Sequence, residues 1–241
     1  GNVAGIVNVG TNVDSSLAAL RQAARYEGMY AAVGIHPQDC QTLTDRSAEI
    51  ARLRSLLGGD TADASAYRKQ QKIVALGEIG LDYNERYEYD RQVQLRYLHD
   101  QLALAQELDV PVIIHDRDAH GDCFETILRY PSVRGVFHSY SGSAEMAHEL
   151  CRRGWMISFS GVVTFKNAHR VQEVAASVAP AHLLVETDCP YLTPHPHRGK
   201  RNDSGYLYHT VEMLSQLHGM SPENMAALTM QNAMRLFEIT L

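Results

Sequence analysis

Seven apolar runs of strand length, set apart by helix-length segments, constrain this chain more than any other feature. They read VAGIVNVG (3–10), MYAAVGI (29–35), KIVALGE (72–78), VPVIIH (110–115), VRGVFH (133–138), WMISFSG (155–161) and HLLVET (182–187). Runs without a polar face need cover on both sides, which a parallel sheet with crossover helices supplies. Segments 13–26, 45–57, 90–108, 143–153 and 204–218 carry apolar residues at helical spacing, and 222–238 adds a closing helix. The polar stretch GGDTADASAYRKQQK (58–72) is expected to be a surface loop or a frayed helix end. No repeat, low-complexity tract or linker interrupts the pattern, so residues 1–241 are expected to form a single domain.

Two α/β architectures suit such a chain. An open doubly wound sheet would show a glycine-rich phosphate loop after its first strand, and NVGTNVD (8–14) is not G-x-G-x-x-G. A TIM (β/α)8 barrel needs eight strands, and seven are visible. The expectation is therefore a barrel whose first strand and helix are absent from this chain.

The strand ends favour the barrel, because a barrel builds its active site where its strands finish. The second visible strand ends at His36, the third at Glu78, the fourth at His115, the fifth at His138 and the seventh at Glu186 and Asp188. A lone histidine or carboxylate at such a place is most often structural, an ion-pair partner or a cap. Five strands ending alike point to a site. Imidazole and carboxylate together form the ligand set of zinc, manganese, iron or magnesium. A carboxylate has two oxygens, so Glu78 is suited to bridge two metals, with Gly77 and Gly80 keeping side chains out of the way.

Composition removes several classes. With 45% hydrophobic and 21% charged residues, the chain is neither disordered nor fibrous. No apolar run approaches the roughly 20 residues of a membrane span, and no secretory pattern opens the chain. Cys40, Cys123, Cys151 and Cys189 are scattered, as expected of reduced thiols in a cytoplasmic protein. A net charge of −6 argues against coating nucleic acid through a basic surface, but not against an enzyme that meets phosphate through metal ions.

The motifs GEIGLDY, PVIIHDRDAHGD, HSYSGSAEMA, SFSGVVTFKNA, ETDCPYLTP and HRGKRN resemble, in order and over essentially the whole chain, the signatures of TatD-type metal-dependent deoxyribonucleases. The resemblance implies a TIM barrel of the amidohydrolase superfamily and a divalent-metal phosphodiesterase, typically a DNase with 3′-to-5′ exonuclease behaviour. It puts the ligands of two divalent ions (Mg, Mn or Zn) at Glu78, His115, His138 and Asp188. Glu78 would bridge, His115 and His138 would serve the second metal, and Asp188 would bind the first metal and its attacking water. The family's opening His-x-His strand has no counterpart here, so a strand carrying that pair is expected ahead of Gly1. As given, the chain is expected to hold at most one metal firmly, through Glu78, His115 and His138, and to be nearly inactive with magnesium.

Around these residues, His36 belongs to a later signature of the family. Glu186, two residues before Asp188, shares its strand face and is suited to orient a ligand or the water, or to serve as an ion-pair partner. Arg117 and Asp118 are expected to open the helix after His115, with Arg117 near substrate. Lys166 and the HRGKR loop (197–201), Arg198 above all, are candidate phosphate contacts in an otherwise acidic protein. Tyr83, Tyr140 and Tyr191 are candidates for base stacking, with packing as the plainer role. The expected substrate is DNA, single-stranded or at 3′ ends, with no membrane and no obligate protein partner. Ester, amide or lactone hydrolysis of small molecules, or binding without turnover, are the alternatives.

Overall fold

The computed structural model describes residues 3–241, which divide into two compact units, Ala4–Gly135 and Val136–Thr240. In chain order the first unit runs β1 (Ile6–Val9), α1 (Val13–Arg25), β2 (Met29–Val33), α2 (Arg46–Leu56), α3 (Ala64–Gln71), β3 (Ile73–Asp82), α4 (Arg91–Leu108), β4 (Val112–Arg117) and α5 (His120–Ile127). Its strands pair in parallel and in chain order, with Ile6 beside Met29, Ala32 beside Ala75 and Gly80 beside His115. Asn12 caps α1 by accepting from the Ser15 amide at 2.9 Å, and Ser15 answers the Asn12 N–H in a capping box. Buried Ala19 and Ala23 then bring that helix against Ala31 of β2.

The polar stretch 58–72 is more ordered than its composition suggests. Asp63 caps α3 by accepting from the Ala66 amide at 2.9 Å, and Lys72 ends it in the left-handed conformation at φ 55°. Its buried anchor is Arg68, which donates to the carbonyls of Leu57 and Leu108 just beyond α2 and at the end of α4. A helix held by a guanidinium on helix-end carbonyls shows no apolar stripe, which is why it read as a loop.

Two buried glutamines of α4, two turns apart on one face, fix the segments that carry the site. Gln101 donates to the Ile35 carbonyl at 3.0 Å and accepts from the Ile35 amide at 2.8 Å. Gln94 does the same for Asp82, at 2.8 Å in both directions. Each paired clamp satisfies both the N–H and the C=O of one residue at or just beyond a strand end.

The third strand does not stop at Glu78; it continues to Asp82. Leu76 faces Val112 and Ile79 faces Ile114, so three steps of β3 span two of β4 and one residue bulges. The bulge falls at Gly77–Glu78 and re-aims the Glu78 carboxylate. Gly80 is needed two residues later, because at φ 146° a Cβ would overlap the His115 carbonyl oxygen.

The second unit begins in β5 (Gly135–Phe137) and continues with α6 (Ala144–Arg152), β6 (Met156–Phe159), α7 (His169–Ser177), β7 (Leu183–Val185), α8 (Leu207–Leu217) and α9 (Pro222–Phe237). Val136 lies beside Met156 and Ser158 beside Leu184, again in parallel. Phe137 packs edge-on to Trp155 with ring centroids 5.3 Å apart. Buried Asn232 of α9 donates to the carbonyls of Pro180 and Leu183, both at 2.9 Å, and holds the start of β7. Among the described residues, no helix is long and apolar enough to cross a membrane.

Candidate metal centre

In the first unit the bulged β3 delivers Glu78 to two histidines. His115, on β4, places Nδ1 2.7 Å from Glu78 Oε1, and His36, just beyond β2, places Nε2 3.4 Å from the same oxygen. The two rings meet edge to face at 4.4 Å. One donor atom from each of His36, Glu78 and His115 lies within 4.8 Å of the others, a spacing that can hold a metal ion.

The nitrogens of these rings are not equivalent. The Asp82 side chain, 1% exposed, sits 3.2 Å from His115 Nε2 through Oδ2. Gln38 donates to the same oxygen at 2.7 Å, and the Asn84 amide donates to Oδ1 at 3.0 Å. Burial raises the Asp82 pKa, but His115, the Asn84 amide and Gln38 outweigh it and hold the carboxyl below its ordinary range. An ionised Asp82 requires a proton on His115 Nε2, which leaves Nδ1, pointed at Glu78, as the atom that could ligate. An imidazole lone pair and a carboxylate oxygen tolerate 2.7 Å only when a proton or a cation serves both, so a metal ion fits here by replacing that proton. His36 is turned differently. The Gln38 amide donates to its Nδ1 at 3.1 Å, which puts the proton of the neutral ring on Nε2, toward Glu78. In this geometry His36 orients Glu78, and it ligates only by giving up the Gln38 bond.

In the second unit, His138 follows β5 directly. Its Nδ1 lies 3.2 Å from Glu186 Oε1, while the Ser139 amide donates to Glu186 Oε2 at 3.0 Å. Burial pushes Glu186 up, yet His138, Ser158 and the Ser139 amide together hold it below the usual carboxylate range. With Nδ1–H committed to Glu186, the lone pair of neutral His138 is on Nε2. Asp188 is half-buried, at φ 51°, in the loop after β7. Asn202, 2% exposed, donates to the carbonyls of Thr187 and Tyr191 at 2.7 and 2.6 Å and so pins that loop on both sides of Asp188.

Lys166 is exposed just beyond Phe165, and the exposed Arg198 lays its guanidinium over the Phe165 ring at 3.8 Å while donating to the Thr193 carbonyl at 3.2 Å. Arg198 therefore lies against the residue that precedes Lys166. Arg117 and Asp118 do not open a helix: Arg117 is the half-buried last residue of β4, Asp118 turns at φ 56°, and α5 starts at His120. Ser143 caps α6, accepting from the Met146 amide at 3.2 Å. Sequence reasoning passed over Asp82, Gln38 and Asn202. Asp82 had a faint signal, as an acid sharing the GEIGLDY strand with Glu78, but nothing in the residue string named its partner.

Because Asp82 and Glu186 are both held below their ordinary values, the hydrogen bonds to their ionised forms contribute fully above the usual carboxylate range. That contribution is lost as pH falls through the depressed folded-state values. We expect Glu186→Gln to be less stable than wild type near neutrality and to lose less on acidification, so that urea-unfolding curves from pH 7 to pH 3 converge. Parallel curves would deny the pair its role.

The family described as TatD related DNase matches residues 1–238. An uncharacterized metal-dependent hydrolase of Bacillus subtilis, YabD, is 40% identical over 97% of this chain and 87% of its own length. A protein of Cronobacter sakazakii named 3′-5′ ssDNA/RNA exonuclease TatD is 34% identical over 97% of this chain and 88% of its own. The crystal structure of the Escherichia coli TatD homologue YJJV superposes with a TM-score of 0.86 at 28% identity, covering 99% of this chain and 88% of that one. The fold class is thereby the TIM-barrel α/β class expected from the strand pattern.

Proposed function

Since the chain belongs to the TatD-related DNase family of metal-dependent hydrolases, we propose that it hydrolyses phosphodiester bonds of single-stranded DNA from the 3′ end. The observation that carries this reading is the convergence of Glu78 Oε1 and His115 Nδ1 at 2.7 Å, backed by buried Asp82. We assign Glu78, His115, His138 and Asp188 as metal ligands, His36 and Glu186 as the groups that orient them, and Lys166, Arg198 and Arg117 as phosphate contacts. A divalent ion in such a site offsets phosphodiester charge and makes water a nucleophile near neutral pH. The protein's own part is to aim the ligating atoms and hold the phosphate. Glu78 gives a fixed negative charge beside His115, Asp82 keeps the His115 proton on Nε2, and Glu186 keeps that of His138 on Nδ1. The name of the C. sakazakii relative supports a nucleic-acid substrate and 3′-to-5′ polarity. Four free cysteines support a cytoplasmic location.

Incubation of the purified protein with manganese and 3′- or 5′-labelled single-stranded oligonucleotides tests the reading. Mononucleotides released from the 3′ end, abolished by chelation, are expected, with no turnover of a parallel set of carboxylic esters and lactones. Turnover of that set alone would replace the nuclease reading with small-molecule hydrolysis.

The phosphate contacts make a separate expectation. Lys166→Ala and Arg198→Ala should each raise KM for DNA and leave metal content unchanged. Each should also flatten the dependence of log K on log[salt] by about 0.7, the share of one single-strand phosphate contact. An unchanged slope in both variants would return these residues to ordinary surface.

A further inference from the structure

Beside the metal ligands of the first unit is a cavity of about 580 Å³ lined by Tyr83, Asn84, Glu85, Arg86, Tyr89 and Asp118. One backbone step links it to the centre, because the amide of Asn84 donates to the Asp82 carboxylate that orients His115. We propose that this cavity is a nucleobase subsite, in which the base of a bound nucleotide stacks on Tyr89. The assignment rests on the nuclease reading above and adds to it where the base goes.

The aromatic floor is built in advance. Tyr83 donates its hydroxyl to Asp122 at 2.6 Å, and Arg91, itself paired with Asp122 at 2.6 Å, lies over the Tyr83 ring at 5.5 Å. Tyr89 stacks on that ring, nearly parallel at 8° with centroids 5.3 Å apart. Tyr83 is thus held by Asp122, Arg91 and Tyr89, and Tyr89 rests on it while remaining 38% exposed. A third flat ring extends the stack and meets a surface that loses little freedom on binding.

The rest of the lining selects a base over a phosphate. Glu85 and Asp118 outnumber Arg86, so an anion is disfavoured, while their carboxylate oxygens suit the exocyclic amino groups of adenine, cytosine and guanine, with Asp118 held in place by Asn84 at 3.1 Å. Thymine lacks such a group and should bind more weakly. Stacking is worth enough that losing the platform weakens binding by roughly five- to a hundredfold.

Titration calorimetry with dAMP and with deoxyribose 5-phosphate, on wild type, Tyr89→Ala and Tyr89→Phe, tests the subsite without turnover. Wild type and Tyr89→Phe are expected to bind dAMP alike, Tyr89→Ala more weakly by the factor above, and all three to bind the sugar phosphate equally. Equal dAMP binding by Tyr89→Ala, or none by wild type, overturns the subsite. Binding of dAMP through Tyr89 by a protein that cleaves no DNA upholds the subsite and removes the nuclease reading instead.

Discussion

Glu78→Gln is expected to lower kcat for phosphodiester hydrolysis by about 10²–10³-fold, the scale of losing one preorganised charge at the reacting centre, while the protein keeps its fold. The substitution preserves the volume of a side chain re-aimed by the β3 bulge and contacted by His36 and His115. An amide accepts hydrogen bonds but carries no charge, so it cannot offset a dication, and its nitrogen presents no lone pair to one. Circular dichroism and unfolding midpoints should stay near wild type, because the charge is most costly in the absence of a cation. Wild-type turnover in a Glu78→Gln protein with metal restored would show that the carboxylate has no part in the chemistry.

Asp82→Asn is expected to weaken divalent-metal binding by about 10–100-fold, the usual loss when the carboxylate behind a ligating histidine is removed. The asparagine fills the same space, and the backbone of that position keeps its pairing with Gln94. What changes is the pull on the His115 Nε2 proton. With a neutral partner the ring is free to carry its proton on Nδ1, toward Glu78, where the metal must go. Activity lost to this change should return at high metal concentration, with kcat recovering, whereas the Glu78→Gln loss should not. Isothermal titration with manganese distinguishes the two. Identical affinities in wild type and Asp82→Asn would mean that the Asp82–His115 pair is only structural.

The strands were legible because each is a run of apolar residues with no polar face, and parallel register follows from such runs. Glu78 and His115 stand out in the sequence because each ends or interrupts such a run with a ligand-type side chain, and the structure brings the two to 2.7 Å. The bulge at Gly77–Glu78 was not legible, since it exists only as a mismatch in step between β3 and β4. Asp82 and Gln38 were hidden for a related reason: each acts through a partner far along the chain. Gln94 and Gln101 bond only to backbone, so no residue pattern marks their partners. Glu186 was legible as a companion of Asp188, but its engagement with His138 depends on the turn at Ser139, which sits at φ 42°.

The most direct measurement is anomalous scattering from crystals of this protein soaked in manganese or zinc. A peak is expected at about 2.0–2.2 Å from a Glu78 carboxylate oxygen and from His115 Nδ1, with His115 Nε2 still on Asp82. Full-occupancy metal bound elsewhere, with Glu78 and His115 still at 2.7 Å and no density against either, would contradict the assignment of this cluster as the metal centre.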